Sequence, residues 1–351
     1  MKEKKDFHPV CPAPIKKYDR ITLAHGGGGK LMNKLIGDVF IPAFNNDLLS
    51  RKHDSSVFEL EGIRLAMTTD SYVVSPLFFP GGDIGSLSIH GTVNDLAMSG
   101  AKPLFLSAGV IIEEGFSIDS MKKIAASMNS ACERACVKII TGDTKVVDKG
   151  KGDGIFINTA GIGILEHSLD ISPTSIKSGD AILLNGDIGR HGIAILSARE
   201  GLSFETDIES DTAFLHNIAL DLIKNSIDVH CMRDLTRGGL ASALNEISDS
   251  SKLSIEVIEN NIMVLESVRG ACEILGFDPL YVANEGRMVV FVPDKQCDKA
   301  LNIMRKYDTG KNSCRIGTVK DNSSLPVIMK TCVGTHRILD MLSGEQLPRI
   351  C

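Results

Sequence analysis

Apolar runs that close on an aspartate set the first constraint on this chain. Ile63, Leu65 and Met67 alternate with other residues as a half-buried strand does, and the run ends at Thr68-Thr-Asp70-Ser71. Val137 to Ile140 reads as a short strand delivering Thr141-Gly-Asp143-Thr-Lys145. Val229 to Met232 reads as another, leading to Asp234-Leu-Thr-Arg237-Gly-Gly239. Three carboxylates are therefore expected at strand ends beside Thr or Gly. A fourth, Asp95, falls after Asn94 in the C-terminal half of a helix expected from Asp83 to Met98, which Gly100 and Pro103 stop. A carboxylate there opposes the helix dipole, a cost that a bound cation relieves. Taken alone, Asp95 fits a solvated acidic face equally well.

Further strands are expected at Pro103 to Ile112, Ile155 to Leu165, Ala181 to Leu184, Ser254 to Glu259, Met288 to Val292, and near Ile316 and Val327. Helices are expected at Ile118 to Cys136, capped by Ser117, at Asp211 to Ser226, Val264 to Leu275 and Asp298 to Lys306, and on the faces carrying Leu240, Leu244 and Ile247. Cys132 and Cys136 extend the apolar stripe of their helix and are expected in the core. Strands outnumber what simple β-α-β alternation gives, so the pattern predicts two α+β domains. A length of 351 residues agrees with two domains, and the apolar pattern breaks near Ser168 to Gly179. The expected layout is a leader at 1–20, an N-terminal domain at 21–167, a C-terminal domain at 168–335 and a tail at 336–351.

Composition excludes several functions. With 43% hydrophobic and 23% charged residues and a net charge of −6, the chain reads as soluble and offers no electrostatic footprint for nucleic acid. No apolar run approaches the ~20 residues of a membrane span, and the Lys-rich, Pro-containing leader lacks a signal-peptide core, so a cytoplasmic protein is expected. Nine cysteines without a C-x-x-C motif point to neither a disulfide framework nor a standard zinc site.

Gly26, Gly27, Gly28 and Gly29, followed by Lys30, suit either a backbone cradle for an anion or a flexible hinge. The segment is not a Walker loop, since Ala24 and Leu31 stand where that motif needs Gly and Ser or Thr. Gly238 and Gly239 open a helix beside Arg237, where unpaired N–H groups and a cation suit phosphate oxygens. Asp70, Asp95, Asp143 and Asp234 on separate segments supply the oxygen ligands that Mg²⁺ requires. Together these features predict an atypical ATP site working by positioning and electrostatics. The sequence ends at Pro348-Arg-Ile-Cys351, and Pro348 cannot continue a helix, so a mobile tether bearing a thiol is expected.

From about Ile21 to Cys351 the chain resembles the HypE family of hydrogenase maturation proteins, carbamoyl dehydratases within the superfamily of aminoimidazole ribonucleotide synthetase and selenide water dikinase. The resemblance rests on His25-Gly-Gly-Gly-Gly-Lys30, Thr69-Asp70-Ser71, Gly91-Thr-Val-Asn94-Asp95-Leu-Ala-Met98, Gly142-Asp143-Thr144-Lys145, Asp234-Leu-Thr-Arg237-Gly-Gly239, Asn284-Glu285-Gly286 and the terminal Pro348-Arg-Ile-Cys351. It implies a two-domain aminoimidazole ribonucleotide synthetase-like fold with a mobile C-terminal tail, paired into a homodimer. It also implies ATP and Mg²⁺ as cofactors. Gly26 to Gly29, Lys30, Asn94, Arg237, Gly238 and Gly239 would bind ATP, and Asp70, Asp95, Asp143 and Asp234 the metal.

The implied reaction starts with HypF loading a carbamoyl group onto Cys351. ATP-dependent dehydration then leaves a thiocyanate, and the cyanide passes to iron on a HypC-HypD complex as a ligand for NiFe hydrogenase. Glu285 is the implied base, with Lys145 beside it; His25, His90 and His191 are further candidates. A C-terminal carboxylate on Cys351 is expected to raise its thiol pKa, with Arg349 as the cation nearest in sequence. A selenide water dikinase needs a reactive residue where 26–29 are all glycine, and a thiamine-monophosphate kinase leaves Cys351 without a purpose. A noncatalytic adaptor that presents Cys351 to partners is the reading from another class.

Overall fold

The computed structural model describes residues 19–202, 208–321, 325–343 and 350–351. The leader with Cys11, and Pro348 and Arg349 of the terminal motif, lie outside them. After a turn at Leu23–Gly26, α1 (Lys30–Leu35) continues through a π-helical stretch, Ile36–Phe40, into α2 (Ile41–Phe44). The first unit follows with β1 (Ser56–Leu60), β2 (Ile63–Tyr72), the short hairpin of β3 (Phe78–Phe79) and β4 (Gly82–Asp83), α3 (Ile84–Met98), β5 (Lys102–Glu113), α4 (Ile118–Ala135), β6 (Lys138–Val147) and β7 (Ile155–Ile164). The second begins with β8 (Asp180–Leu184), α5 (Arg190–Glu200), α6 (His216–Lys224), β9 (Cys231–Asp234), α7 (Gly239–Ser251), β10 (Ser254–Ile258) and α8 (Glu266–Leu275). It is completed by β11 (Met288–Pro293), α9 (Cys297–Met304), β12 (Cys314–Lys320), β13 (Val327–Lys330) and β14 (His336–Ile338).

Two α+β units result, as the strand count predicts. The first sheet has the order β1-β2-β7-β5-β6, the second β14-β13-β10-β12-β8-β11-β9. In the second sheet β8 and β11 are buried on both faces, which is why both read as unbroken apolar runs. Ile182, Leu184, Val289 and Phe291 pack under α7, whereas Leu183, Val290 and Val292 pack under α6 and α9. Ala97 and Met98, at the end of α3, join that second cluster and tie the units together.

In the first unit only one sheet face is covered among the described residues. Helix α3 is apolar nearly all round and accordingly buried; Asp83 caps it by accepting from Gly85 N at 2.7 Å and Ser86 N at 3.2 Å. Asp95 is the one position of α3 that is only partly buried.

Three differences from the expected elements bear on the site. Asp143 does not end a strand, because β6 runs on to Val147 in a parallel ladder with β5 that pairs Gly109 with Asp143 and Ile111 with Lys145. The β-branched Thr144, Val146 and Val147 sustain the ladder past Gly142. Residues 211–215 are not helical, since Asp211 and Leu215 are held by side-chain contacts described below, and α6 starts at His216. The tail starts later than 336: β14 pairs with β13, Leu339 N donates to Val327 O at 3.0 Å, and Lys30 N donates to Leu342 O at 2.8 Å. Cys136 is exposed as the left-handed cap of α4, leaving only Cys132 of that pair in the core.

Candidate active site

Three carboxylates meet between the two units. Asp95 projects from α3, Asp234 ends β9, and Asp54 precedes β1; their oxygens lie within 4.8 Å of one another. Thr68 Oγ1, on the α3-facing side of β2, donates to Asp95 Oδ2 at 2.8 Å, and Arg233 Nε contacts Asp54 Oδ1 at 2.8 Å. Asp54 Oδ2 is buried without a hydrogen-bond partner. Burial, then Asp234, Asp70 and Asp54, holds the Asp95 carboxyl well above the usual range, with Thr68 partly offsetting. Burial and then Asp54 do the same to Asp234 against the opposing pull of Arg233. So many acid groups around one cation are short of positive charge. An all-oxygen donor set with an orphaned carboxylate oxygen fits a hard divalent ion.

Asp70 stands beside this group, with Ser71 N donating to its Oδ1 at 2.7 Å and Arg237 NH2 at 4.0 Å. Arg237 lies against the glycine segment. Gly28 has φ +72° and a Cβ there would come within 2.6 Å of the Arg237 carbonyl; one at Gly238 would come within 2.6 Å of Gly28 O. Only residues without Cβ allow this back-to-back approach of two loops. They wall a cavity of about 620 Å³, whose polar lining includes Asp234, Thr236 and Arg237 and whose apolar lining includes Met32, Ile36 and Leu49.

Glu285 sits in the turn before β11. Asp211 accepts from Glu285 N at 3.3 Å and Gly286 N at 3.2 Å, while Asn284 Nδ2 donates to Leu235 O at 3.0 Å. The carboxyl of Glu285 is buried with Oε1 unpartnered, and burial followed by Asp234 and Asp70 raises it well above the usual carboxylate range.

Into this space comes the chain end. Cys351 is 6% exposed, an oxygen of its terminal carboxylate accepts from Val73 N at 3.0 Å, and Ile350 O contacts His191 Nε2 at 2.8 Å. Burying Ile350 stabilises this docking by roughly 2 kcal/mol; the two hydrogen bonds add about 1 kcal/mol each. The thiol is pushed up to about 12, by burial first, then by Glu285, Asp70 and Asp234 against the lowering pull of Arg237. Desolvation thus replaces the terminal carboxylate as the main cause, and Arg237 takes the part expected of Arg349.

The remaining predicted residues are placed differently. Asp143 and Lys145 bond each other at 2.7 Å, both side chains 67% exposed, on the sheet face away from α3; they do not join the carboxylate group within one chain. Asn94 is buried, with its amide donating to Ala213 O and accepting from Leu215 N, which makes it a clamp on residues 213–215 rather than a phosphate ligand. Lys30 is bound to Asp340. His90 is buried against Phe214 and Thr212 and lowered to about 3 by burial first, so it packs the interior. His25 is held by Thr22. Asp54 was not anticipated, because it precedes its strand; the only signal was an acid followed by Ser55-Ser56 and an apolar run.

This fold and carboxylate-lined cleft define a class. Residues 52–165 match the family model described as AIR synthase related protein, N-terminal domain, and residues 177–330 its C-terminal domain. The carbamoyl dehydratase HypE of Bradyrhizobium diazoefficiens is 50% identical over 94% of this chain and 96% of that protein. A solved HypE-HypF complex contains a chain 48% identical, TM-score 0.84, covering 88% of this chain and 99% of that one. HypE solved in complex with ATP is 46% identical, TM-score 0.80, covering 94% and 100%. The chain belongs to the HypE family of carbamoyl dehydratases.

Proposed function

We propose that this chain dehydrates a carbamoyl group carried on its own Cys351 thiol to a thiocyanate, the source of a cyanide ligand for NiFe hydrogenase iron. The observation that carries this is the burial of Cys351 at a chain end bonded to Val73 and His191, where Arg237, Glu285, Asp70 and Asp234 all act on its thiol. Bound ATP with Mg²⁺ supplies the phosphoryl group that turns the carbamoyl oxygen into a leaving group. Overall, Cys351-S-CO-NH2 and ATP give Cys351-S-CN, ADP and phosphate, the nitrogen losing both protons. Asp54, Asp95 and Asp234 would hold the cation, with Asp70 beside them. Arg237 offsets negative charge where phosphate and carbamoyl oxygens meet. Glu285 takes a proton from nitrogen; a carboxylate kept from water is a stronger base than a hydrated one. Burial of Cys351 would keep water from the carbamoyl group it carries.

The partners follow the same reading: a HypF-type carbamoyl donor, a HypC-HypD complex as cyanide acceptor, and a cytoplasmic setting. Among the described residues no helix is long and apolar enough to cross a membrane. Incubation with HypF, carbamoyl phosphate, ATP and Mg²⁺ is expected to add one carbamoyl group to the tail peptide, followed by loss of one water. A carbamoylated peptide that persists under these conditions contradicts the reading.

The open face of the first sheet supports a homodimer. Met67, Ile162 and Phe105 stand in one row across β2, β7 and β5, with Met67 52% and Phe105 40% exposed. An apolar row on an uncovered sheet marks a contact surface. Asp143 and Lys145 share this face, so any part they take in catalysis runs through the second protomer. Met67→Asp is expected to weaken dimerisation on the order of 100-fold, by burying charge at an apolar contact. Sedimentation velocity reads this, and a wild-type monomer would contradict the dimer.

A further inference from the structure

We infer that His191 is a positioning residue that seats the substrate-bearing tail by reading its main chain. His191 is the second residue of α5 and is wholly buried. Its Nε2 faces Ile350 O at 2.8 Å, and a carbonyl oxygen only accepts, so Nε2 carries the proton. Nδ1, 2.7 Å from Ser210 Oγ, is then the acceptor of the Ser210 hydroxyl, and Ser210 Oγ in turn accepts from Thr212 N at 3.1 Å. Phe79 meets the ring edge-on, with centroids 5.7 Å apart, and restricts its rotation. With the tail seated, Ile350 O thus assigns the tautomer, and Ser210 and Phe79 orient the ring.

The second bond to the tail, from Val73 N to Cys351 O at 3.0 Å, is again to the main chain. Neither bond uses the Cys351 sulfur. The latch therefore holds the tail whatever the sulfur carries, thiol, carbamoyl or thiocyanate, while fixing where that sulfur points. His191 makes no hydrogen bond to Asp54, Asp95, Asp234 or the Glu285 side chain among those described, and its described bond to the chain end is to Ile350 O.

The inference rests on Cys351 being the carrier, but labelling of the thiol needs neither a carbamoyl group nor turnover, so the two fail separately. The test is the rate at which iodoacetamide alkylates Cys351 in the full chain, read by peptide mass spectrometry against the exposed Cys332 as internal reference. His191→Asn keeps a partner for Ser210 but has nothing at the Nε2 position, and is expected to speed alkylation of Cys351 on the order of 10-fold. His191→Gln restores an N–H near that position and should return the rate to within about threefold of wild type. An Asn variant that labels like wild type, or Gln and Asn variants equally fast, overturns the assignment. Should His191→Asn also expose the core thiol of Cys231, Ser210→Ala decides. Faster labelling of Cys351 with Cys231 still protected supports the latch, and an unchanged Cys351 rate overturns it.

Discussion

Cys351→Ala is expected to abolish carbamoylation and thiocyanate formation completely while leaving ATP affinity within about threefold of wild type, a shift under 1 kcal/mol. The sulfur is the atom that carries the substrate in this reading; Cys231 is buried in the core of the second unit, and Cys132 on the buried face of α4 itself. The cavity proposed for the nucleotide is lined by Gly28, Thr236, Arg237 and Met341, without Ile350 or Cys351. Isothermal titration with a non-hydrolysable ATP analogue, beside mass analysis of the tail peptide, separates the two effects. A variant that loses ATP affinity along with modification would make Cys351 part of the nucleotide site instead of the substrate carrier.

Glu285→Gln is expected to slow dehydration on the order of 10²–10⁴-fold, the usual worth of a positioned general base, with carbamoyl loading retained. Carbamoylated tail should therefore accumulate in the presence of ATP and Mg²⁺. The turn itself should survive, because Asp211 holds it through main-chain N–H groups that the substitution leaves in place. Burial raises the wild-type carboxyl, and the base works deprotonated. The wild-type rate should thus climb with pH through that raised pKa, and the Gln variant should lack this limb. Dehydration by Glu285→Gln within about threefold of wild type would remove Glu285 as the base.

What could be read in advance follows the range of each interaction. Asp70 and Asp234 lie on short apolar strands whose alternation is local, and Asp95 on a helix with a clear start and stop, so all three could be placed on their elements from pattern alone. Their convergence with Asp54 depends on how α3 lies between two sheets, which no local period encodes. Asp143 shows the opposite error, since Gly142 after the apolar run suggests a strand end while the ladder with β5 carries the strand onward. Asn94 looked like a ligand by its place before Asp95. Its amide is taken up by main-chain groups of residues 213 and 215, far away in sequence. The seat for the tail was unreadable for the same reason: Val73, His191 and Ser210 come from three separate segments.

The main-chain bond from Lys30 to Leu342 anchors the chain nine residues before Cys351 and so bounds the reach of its sulfur. From Leu342 to Cys351 the fully extended chain spans on the order of 30 Å. Any enzyme that loads the sulfur, and any acceptor that empties it, must bring its own reaction centre inside that sphere. Under the proposed reaction, donor and acceptor therefore share one bounded region around Leu342.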